Sequence, residues 1–266
     1  PKVGDLRTNE DQTSGGSASA MEHFMSTGWR VFTNTANSTL GDCNYPTAAT
    51  ALYQFNDTAD SSCTPAYNGN FTNPNYVASK TGFGKAADFD GTNTRINIGD
   101  SSNFAGNKLT FSFWANPGTA NSSNYQLLFG NYIGGSFADY DFMIDRQTTQ
   151  KLEVGITGSG SSFLWIMTDS AAFVTGTWKN YVIVIDTTES VNTDKIKIYV
   201  NGTLVARSHN TYGGSVTGSL LDTSDDFFIG DWAHDTSHRY SGLMDQVRIF
   251  PSALTQGDID KLANET

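Results

Sequence analysis

Between Trp178 and Leu254 the chain reads as four consecutive β-strands and a helix start, each bounded by its own turn chemistry. In Lys195-Ile-Lys-Ile-Tyr-Val200, Ile196, Ile198 and Val200 alternate with Lys195, Lys197 and Tyr199, a period of two that gives a strand one dry and one wet face. Asn201-Gly202 follows at once, the residue pair that best tolerates the positive φ angles of a tight hairpin turn. Trp178 to Asp186, Asp226 to Asp231 and Tyr240 to Phe250 supply the other strands. A run of strands this dense leaves helix a minor role.

Composition agrees with this reading. The chain has 266 residues, 38% of them hydrophobic, with 26 glycines among many Asn, Thr and Ser residues. That is enough apolar material for one large sandwich and enough turn formers to connect its strands. The formal charge of -11 argues against nucleic acid, whose phosphates call for a basic patch. Only Glu10, Glu22, Glu153, Glu189 and Glu265 are glutamates among 27 acidic residues, and the aspartate bias suits turns. No apolar run reaches the roughly 18 residues of a membrane span, so no membrane partner is expected. Cys43 and Cys63 are the two cysteines, compatible with one disulfide or with two free thiols.

The strand order resembles the laminin-G-like, concanavalin-A-like jelly roll. The resemblance is carried by Trp178-Lys-Asn-Tyr, Ile196-Lys-Ile-Tyr-Val-Asn-Gly202, Phe227-Phe-Ile-Gly230 and Gly242-Leu-Met-Asp-Gln-Val-Arg-Ile-Phe250. Gly82 to Gly91, Arg95 to Gly99 and Leu109 to Ala115 extend it toward the N-terminus. It implies an all-β, antiparallel β-sandwich over residues 49–266. Strands are also predicted at Gln126 to Gly130, Asp141 to Asp145, Lys151 to Ile156 and Ser162 to Met167. Near the end, Thr255 and Asp258 form an N-cap pattern close to a capping box, with Ile259 and Leu262 on one face of a short C-terminal helix.

Residues 1–34 differ from the rest, with three short predicted strands, and residues 35–48 read as a polar linker. A unit of about 34 residues is too small to bury much alone. Gly4-Asp-Leu-Arg, Met21-Glu-His-Phe24 and Gly28-Trp-Arg-Val-Phe32 resemble a short module of bacteriophage tail fibres and other virion proteins. That resemblance implies a non-enzymatic virion structural protein, a capsid decoration, head-fibre or tail-fibre subunit assembled in the host cytoplasm. Residues 1–34 would then attach it to other virion proteins as a homo-oligomer on the particle, and the sandwich would meet a cell-surface glycan. The alternatives are the lectin module of a secreted protein and a laminarinase-like glycanase.

Catalysis finds little support in the residues. Glycoside hydrolysis needs two carboxylates roughly 5–10 Å apart, and the Glu-x-Asp-x-Glu strand of the family's glycanases is absent. Glu153 reads as alone on its strand, and Asp141 and Asp145 are too far apart along theirs. His234 and His238 have the spacing of a helical zinc pair but sit in a predicted loop. Calcium is the cofactor the resemblance implies, with Asp245 as its best ligand and Asp57 or Asp90 as partners; Asp245 capping a turn or pairing with Arg248 is the competing reading. Ligand binding is expected at Asp231, Trp232, Asp235 and Tyr240, with Tyr132 nearby, because rings stack on sugar faces while carboxylates bond hydroxyls. Trp114 and Trp178 are expected in the core, and Trp29 in the N-terminal module.

Overall fold

The computed structural model describes residues 41–59, 63–100, 104, 106–119, 123–131, 142–159, 162–209, 214–220, 225–231 and 236–265, and the backbone of 6–8, 20–25 and 28–33. Three strands at the N-terminus, β1 (Leu6–Thr8), β2 (Ala20–Met25) and β3 (Gly28–Thr33), pair antiparallel in that order into a sheet of their own. The sandwich then runs through β4 (Ala51–Tyr53), β5 (Asn70–Thr72), β6 (Tyr76–Ala78), β7 (Lys85–Asp90), β8 (Arg95–Asp100), β9 (Lys108–Pro117) and β10 (Gln126–Gly130). It continues with β11 (Phe142–Arg146), β12 (Leu152–Thr157), β13 (Phe163–Thr168), β14 (Lys179–Asp186), the single turn α1 (Asn192–Lys195), β15 (Ile196–Val200), β16 (Thr203–Leu204) and β17 (Arg207–His209). β18 (Asp226–Ile229), β19 (Ser241–Phe250) and helix α2 (Gln256–Ala263) complete it.

Two antiparallel sheets form the layers. One has the order β17-β13-β12-β11-β10-β18-β8-β5, the other β16-β15-β14-β9-β19-β7-β6 with β4 also pairing β19. β18 and β19 return from late in the sequence to lie at the centre of their sheets, the crossed connectivity of a jelly roll. The inward positions of each strand alternate as the period of two requires: Leu109, Phe111, Phe113 and Ala115 of β9 enter the core with Tyr181, Ile183 and Ile185 of β14. Rings dominate its middle, where Phe111 meets Phe142 at 4.7 Å and Phe113 meets Phe129 at 4.9 Å between centroids.

The outer side of the second sheet is covered too. Val182, Val184, Tyr199 and Phe250 pack against Leu254, Ile259 and Leu262, the apolar face of α2. Thr255 caps that helix in a capping box with Asp258, as the sequence pattern predicts. The hairpin turn between β15 and β16 places Asn201 at φ 49° and Gly202 at φ 79°, the left-handed pair an Asn-Gly turn provides. Cys43 and Cys63 are joined by a disulfide. Trp114 is buried, but on the outer side of β9 against Phe83. Trp178 differs from expectation: it lies just before β14 and is partly exposed, because the strand's inward phase begins with Tyr181. Trp29 lies where only the backbone is described.

Candidate functional site

The face of the β17-to-β5 sheet turned away from the core carries most of the chemistry among the described residues. Strand register sets its rows. Trp165, Gly155, Met143, Gly130, Phe228 and Asn97 are successive Cα partners across β13, β12, β11, β10, β18 and β8. The neighbouring row runs Met167, Glu153, Asp145, Leu127, and a bridge joins Leu127 to Arg239. Gly155 is what allows the first row to lie flat: a Cβ there would meet the Trp165 ring at 3.1 Å, so the indole rests on the glycine backbone.

Leu127, Met143 and Trp165 form a buried apolar cluster, with Tyr125 and Phe163 packed against it and partly exposed. The His238 ring stacks on Tyr125 with centroids 4.3 Å apart and is itself partly exposed. Apolar rings at the margin of a sheet face, with polar groups in the next row, match what a sugar ring requires: a flat stacking surface and hydroxyl partners.

Asp145 and Glu153 face each other across the β11–β12 hairpin, so Glu153 is not alone as its own strand suggests. Gln147 Nε2 donates to both, at 2.8 Å to Asp145 Oδ1 and 2.8 Å to Glu153 Oε2. Burial pushes the Asp145 carboxyl well above its ordinary range, the Glu153 charge adds to that, and the Gln147 bond opposes it only in part. Counting outward from the 147–150 turn would have revealed the pair, since a hairpin's register follows from its turn. Asp141 lies outside the described residues.

The predicted ligand residues are distributed differently. Asp231 is fully buried and binds two arginines, Arg95 Nη1 at 3.0 Å and Arg239 Nε at 2.9 Å, which tie the chain on either side of the 232–235 segment to β8. Arg239 also donates to the Thr92 carbonyl, and Arg95 lies over the Phe228 ring. Tyr240 is fully buried against Phe89, so its ring belongs to the core rather than to a rim. Trp232, His234, Asp235 and Tyr132 lie outside the described residues.

The three aspartates proposed for calcium are each engaged elsewhere. Asp57 is exposed and pairs with Lys85 at 2.6 Å. Asp90 accepts the backbone N–H groups of Thr92, Asn93 and Thr94 at 2.8, 2.7 and 3.0 Å; burial raises its carboxyl, but these bonds outweigh it and hold the group far below the usual range. Asp245 is buried at a bulge in β19, where Gln246 takes φ 48°; it accepts from Ser79 Oγ and from the Gln246 N–H at 2.6 Å. Burial pushes it up to about 8, with Ser79, Gln246 and Arg248 pulling the other way. Arg248 makes its ion pair with Glu265 at 2.8 Å, not with Asp245. Among the described residues no group of three or more His, Cys, Asp or Glu side chains converges to hold a metal ion.

Comparison with known proteins follows the same lines. Residues 90–260 match the Concanavalin A-like lectin/glucanases superfamily. No curated protein matches the chain significantly. Domain 4 of AbnA, an extracellular arabinanase of family GH43 from Geobacillus stearothermophilus solved in complex with arabinotriose, superposes with a TM-score of 0.56 at 21% identity, over 81% of this chain and 98% of that one. The binding domain of Paraclostridial Mosquitocidal Protein 1 superposes with a TM-score of 0.60 at 15% identity, over 80% of this chain and 51% of that one. For the binding domain of botulinum neurotoxin serotype G the figures are 0.58 and 13%, over 81% and 50%. At these identities the likeness is one of fold. With the match over residues 90–260 and the crossed two-sheet topology, the chain belongs to the concanavalin A-like lectin/glucanase superfamily.

Proposed function

We propose that this protein is a non-catalytic, lectin-like carbohydrate-binding domain that takes its ligand at the outer face of β10 to β13. The carrying observation is the set of partly exposed rings, Tyr125, Phe163 and His238, around the Trp165–Gly155–Met143 row. The AbnA domain, solved with arabinotriose, supports an oligosaccharide as the ligand class. Asp145 and Glu153 do not suit glycoside hydrolysis, because a fully buried and a nearly buried carboxyl do not reach a glycosidic oxygen. Calorimetric titration with arabinotriose and a panel of neutral oligosaccharides tests the reading. Binding is expected, with Phe163→Ala and Tyr125→Ala each weakening it by about tenfold, the range a lost stacking contact accounts for. Absence of binding across the panel, or full affinity in both variants, would sink it.

A second reading places the domain on a virus particle, held by residues 1–34 to other virion proteins. It is favoured by the β1–β3 sheet, which among the described residues pairs with no strand of the sandwich. The Cys43–Cys63 disulfide favours instead an oxidising, extracellular setting such as that of a secreted lectin. Immunogold labelling of purified particles separates the two, since a virion subunit is expected on every particle and a secreted lectin on none.

A further inference from the structure

We propose that Asp145 and Glu153 hold one proton between them, and that this proton keeps the β10–β13 face in its packed arrangement, making the face sensitive to pH. The proposal adds regulation to the binding reading above but rests on geometry that needs no ligand. The two residues are direct Cα partners on adjacent antiparallel strands, so their side chains leave the sheet side by side. One amide nitrogen, Gln147 Nε2, lies 2.8 Å from an oxygen of each, which keeps those oxygens within twice that distance. Asp145 is fully buried, Glu153 is 6% exposed, and Asp145 Oδ2 has no hydrogen-bond partner. Two ionised carboxylates at this separation, away from water, repel strongly; one proton between them removes the repulsion and supplies a donor.

Arg146 follows Asp145 in the chain, yet it projects to the opposite side of β11, where it donates to Gln126, Gln150, Thr175 and the Gly118 carbonyl. Arg239 lies beyond Leu127 in the same row and is held by Asp231. Lys151 precedes Glu153 by two positions at the partly exposed end of β12. Asp169 follows Met167 by two positions and accepts from Ser208 Oγ. The strand partners on either side, Leu127 and Met167, are apolar, and the imidazole of His238 stacks on Tyr125, which packs against the Leu127–Met143–Trp165 cluster. The burial and Glu153 charge that push Asp145 upward point the same way.

The acid pair adjoins the Trp165–Gly155–Met143 row on the same three strands. When the proton leaves at higher pH, repulsion acts across the β11–β12 pair, and Trp165, which rests on Gly155 of β12, moves with it.

Carbon-13 carboxyl NMR of the full chain, with Asp145→Asn and Glu153→Gln for assignment, tests the proton directly. One carboxyl of the pair is expected to keep its proton to a pH well above the ordinary carboxylate range. In each variant the surviving acid is expected to ionise at lower pH than in the wild type. The indole N–H resonance of Trp165, assigned with Trp165→Phe, is expected to shift with the pair's midpoint in the wild type and to stay still in Asp145→Asn. Ionisation of both groups together near pH 4, or an indole titration unchanged in Asp145→Asn, overturns the proposal. Neither readout involves a sugar, so a failure to bind oligosaccharide would count against the proposed function and leave this result to stand on its own.

Discussion

Replacing Arg146 with methionine is expected to lower the stability of the sandwich by roughly 4 kcal/mol and its melting temperature by roughly 10 °C. Arg146 is 1% exposed and is among the largest side chains the core encloses. Its guanidinium has no carboxylate partner among the described residues' bonds; neutral acceptors take it up instead. Nε and Nη2 donate to Gln150 Oε1 at 2.9 and 2.6 Å, Nη1 to the Gly118 carbonyl at 3.0 Å and to Gln126 Oε1 at 3.1 Å, and Nη2 to Thr175 Oγ1 at 3.2 Å. One side chain thereby joins the end of β9, the start of β10, the β11–β12 turn and the segment before β14. Methionine fills much of the volume but takes the donor from the buried Gln126 oxygen, a loss of about 1–3 kcal/mol, and from the half-buried Gln150 and Gly118 oxygens, which lose less because water reaches them. Lysine is not expected to restore the loss, because a point ammonium cannot reproduce a planar five-donor fork. Thermal unfolding followed by circular dichroism measures this, and a loss under about 1 kcal/mol in Arg146→Met would show that water replaces the guanidinium.

Stability is expected to fall as pH rises from about 5 to 9, with the buried carboxyls of Asp245 and Asp145 as the main contributors. The Asp245 carboxyl is pushed up to about 8 in the folded chain by burial, against about 4 when unfolded. Between those values the folded chain binds a proton that the unfolded chain has released, so the stabilisation is complete below about pH 4 and is lost as pH climbs to about 8. The expected loss is on the order of several kcal/mol. Glu265 is raised by burial as well and acts in the same direction, despite its pairing with Arg248. Asp90, Asp186 and Asp258 have lowered values and act oppositely, their contribution present above about pH 4 and lost below it. An optimum near pH 4–5 follows. Urea denaturation of wild type and Asp245→Asn across pH 5 to 9 tests the assignment: the variant, which keeps an acceptor for Ser79, is expected to lose much of the slope and to be the more stable protein at pH 9. Parallel curves would assign the slope to other groups.

Much of the sandwich was legible in the chain because its signals are local. Alternation in Ile196, Ile198 and Val200 marks a strand with any partner, and Asn201-Gly202 specifies its turn through backbone sterics alone. The strand read at Gln126 to Gly130 has those bounds, while the three predicted at 141–145, 151–156 and 162–167 begin one residue later in the structure. Thr255 and Asp258 cap α2 through bonds three residues apart. The candidate site was less legible. Asp231 and Tyr240 are residue types that suit sugar binding, yet Asp231 is buried and bound by Arg95, 136 positions away in sequence, and Tyr240 is buried against Phe89.

The aromatic face followed the same division. Tyr125, Phe163, Trp165 and His238 are unremarkable in sequence, and they gather only because β13 pairs with β12 and a bridge brings Arg239 beside Leu127. Periodicity, turn chemistry and capping depend on atoms a few residues apart, so the sequence by itself determined the strands, the hairpin, the final helix and the superfamily they resemble. Burial depends on which strands become neighbours across the whole chain. Only the tertiary structure decided that Glu153 faces Asp145, that Asp245 lies in a dry bulge and Asp57 in water, and that Arg146 has neutral partners, because desolvation and charge coupling are properties of that packing.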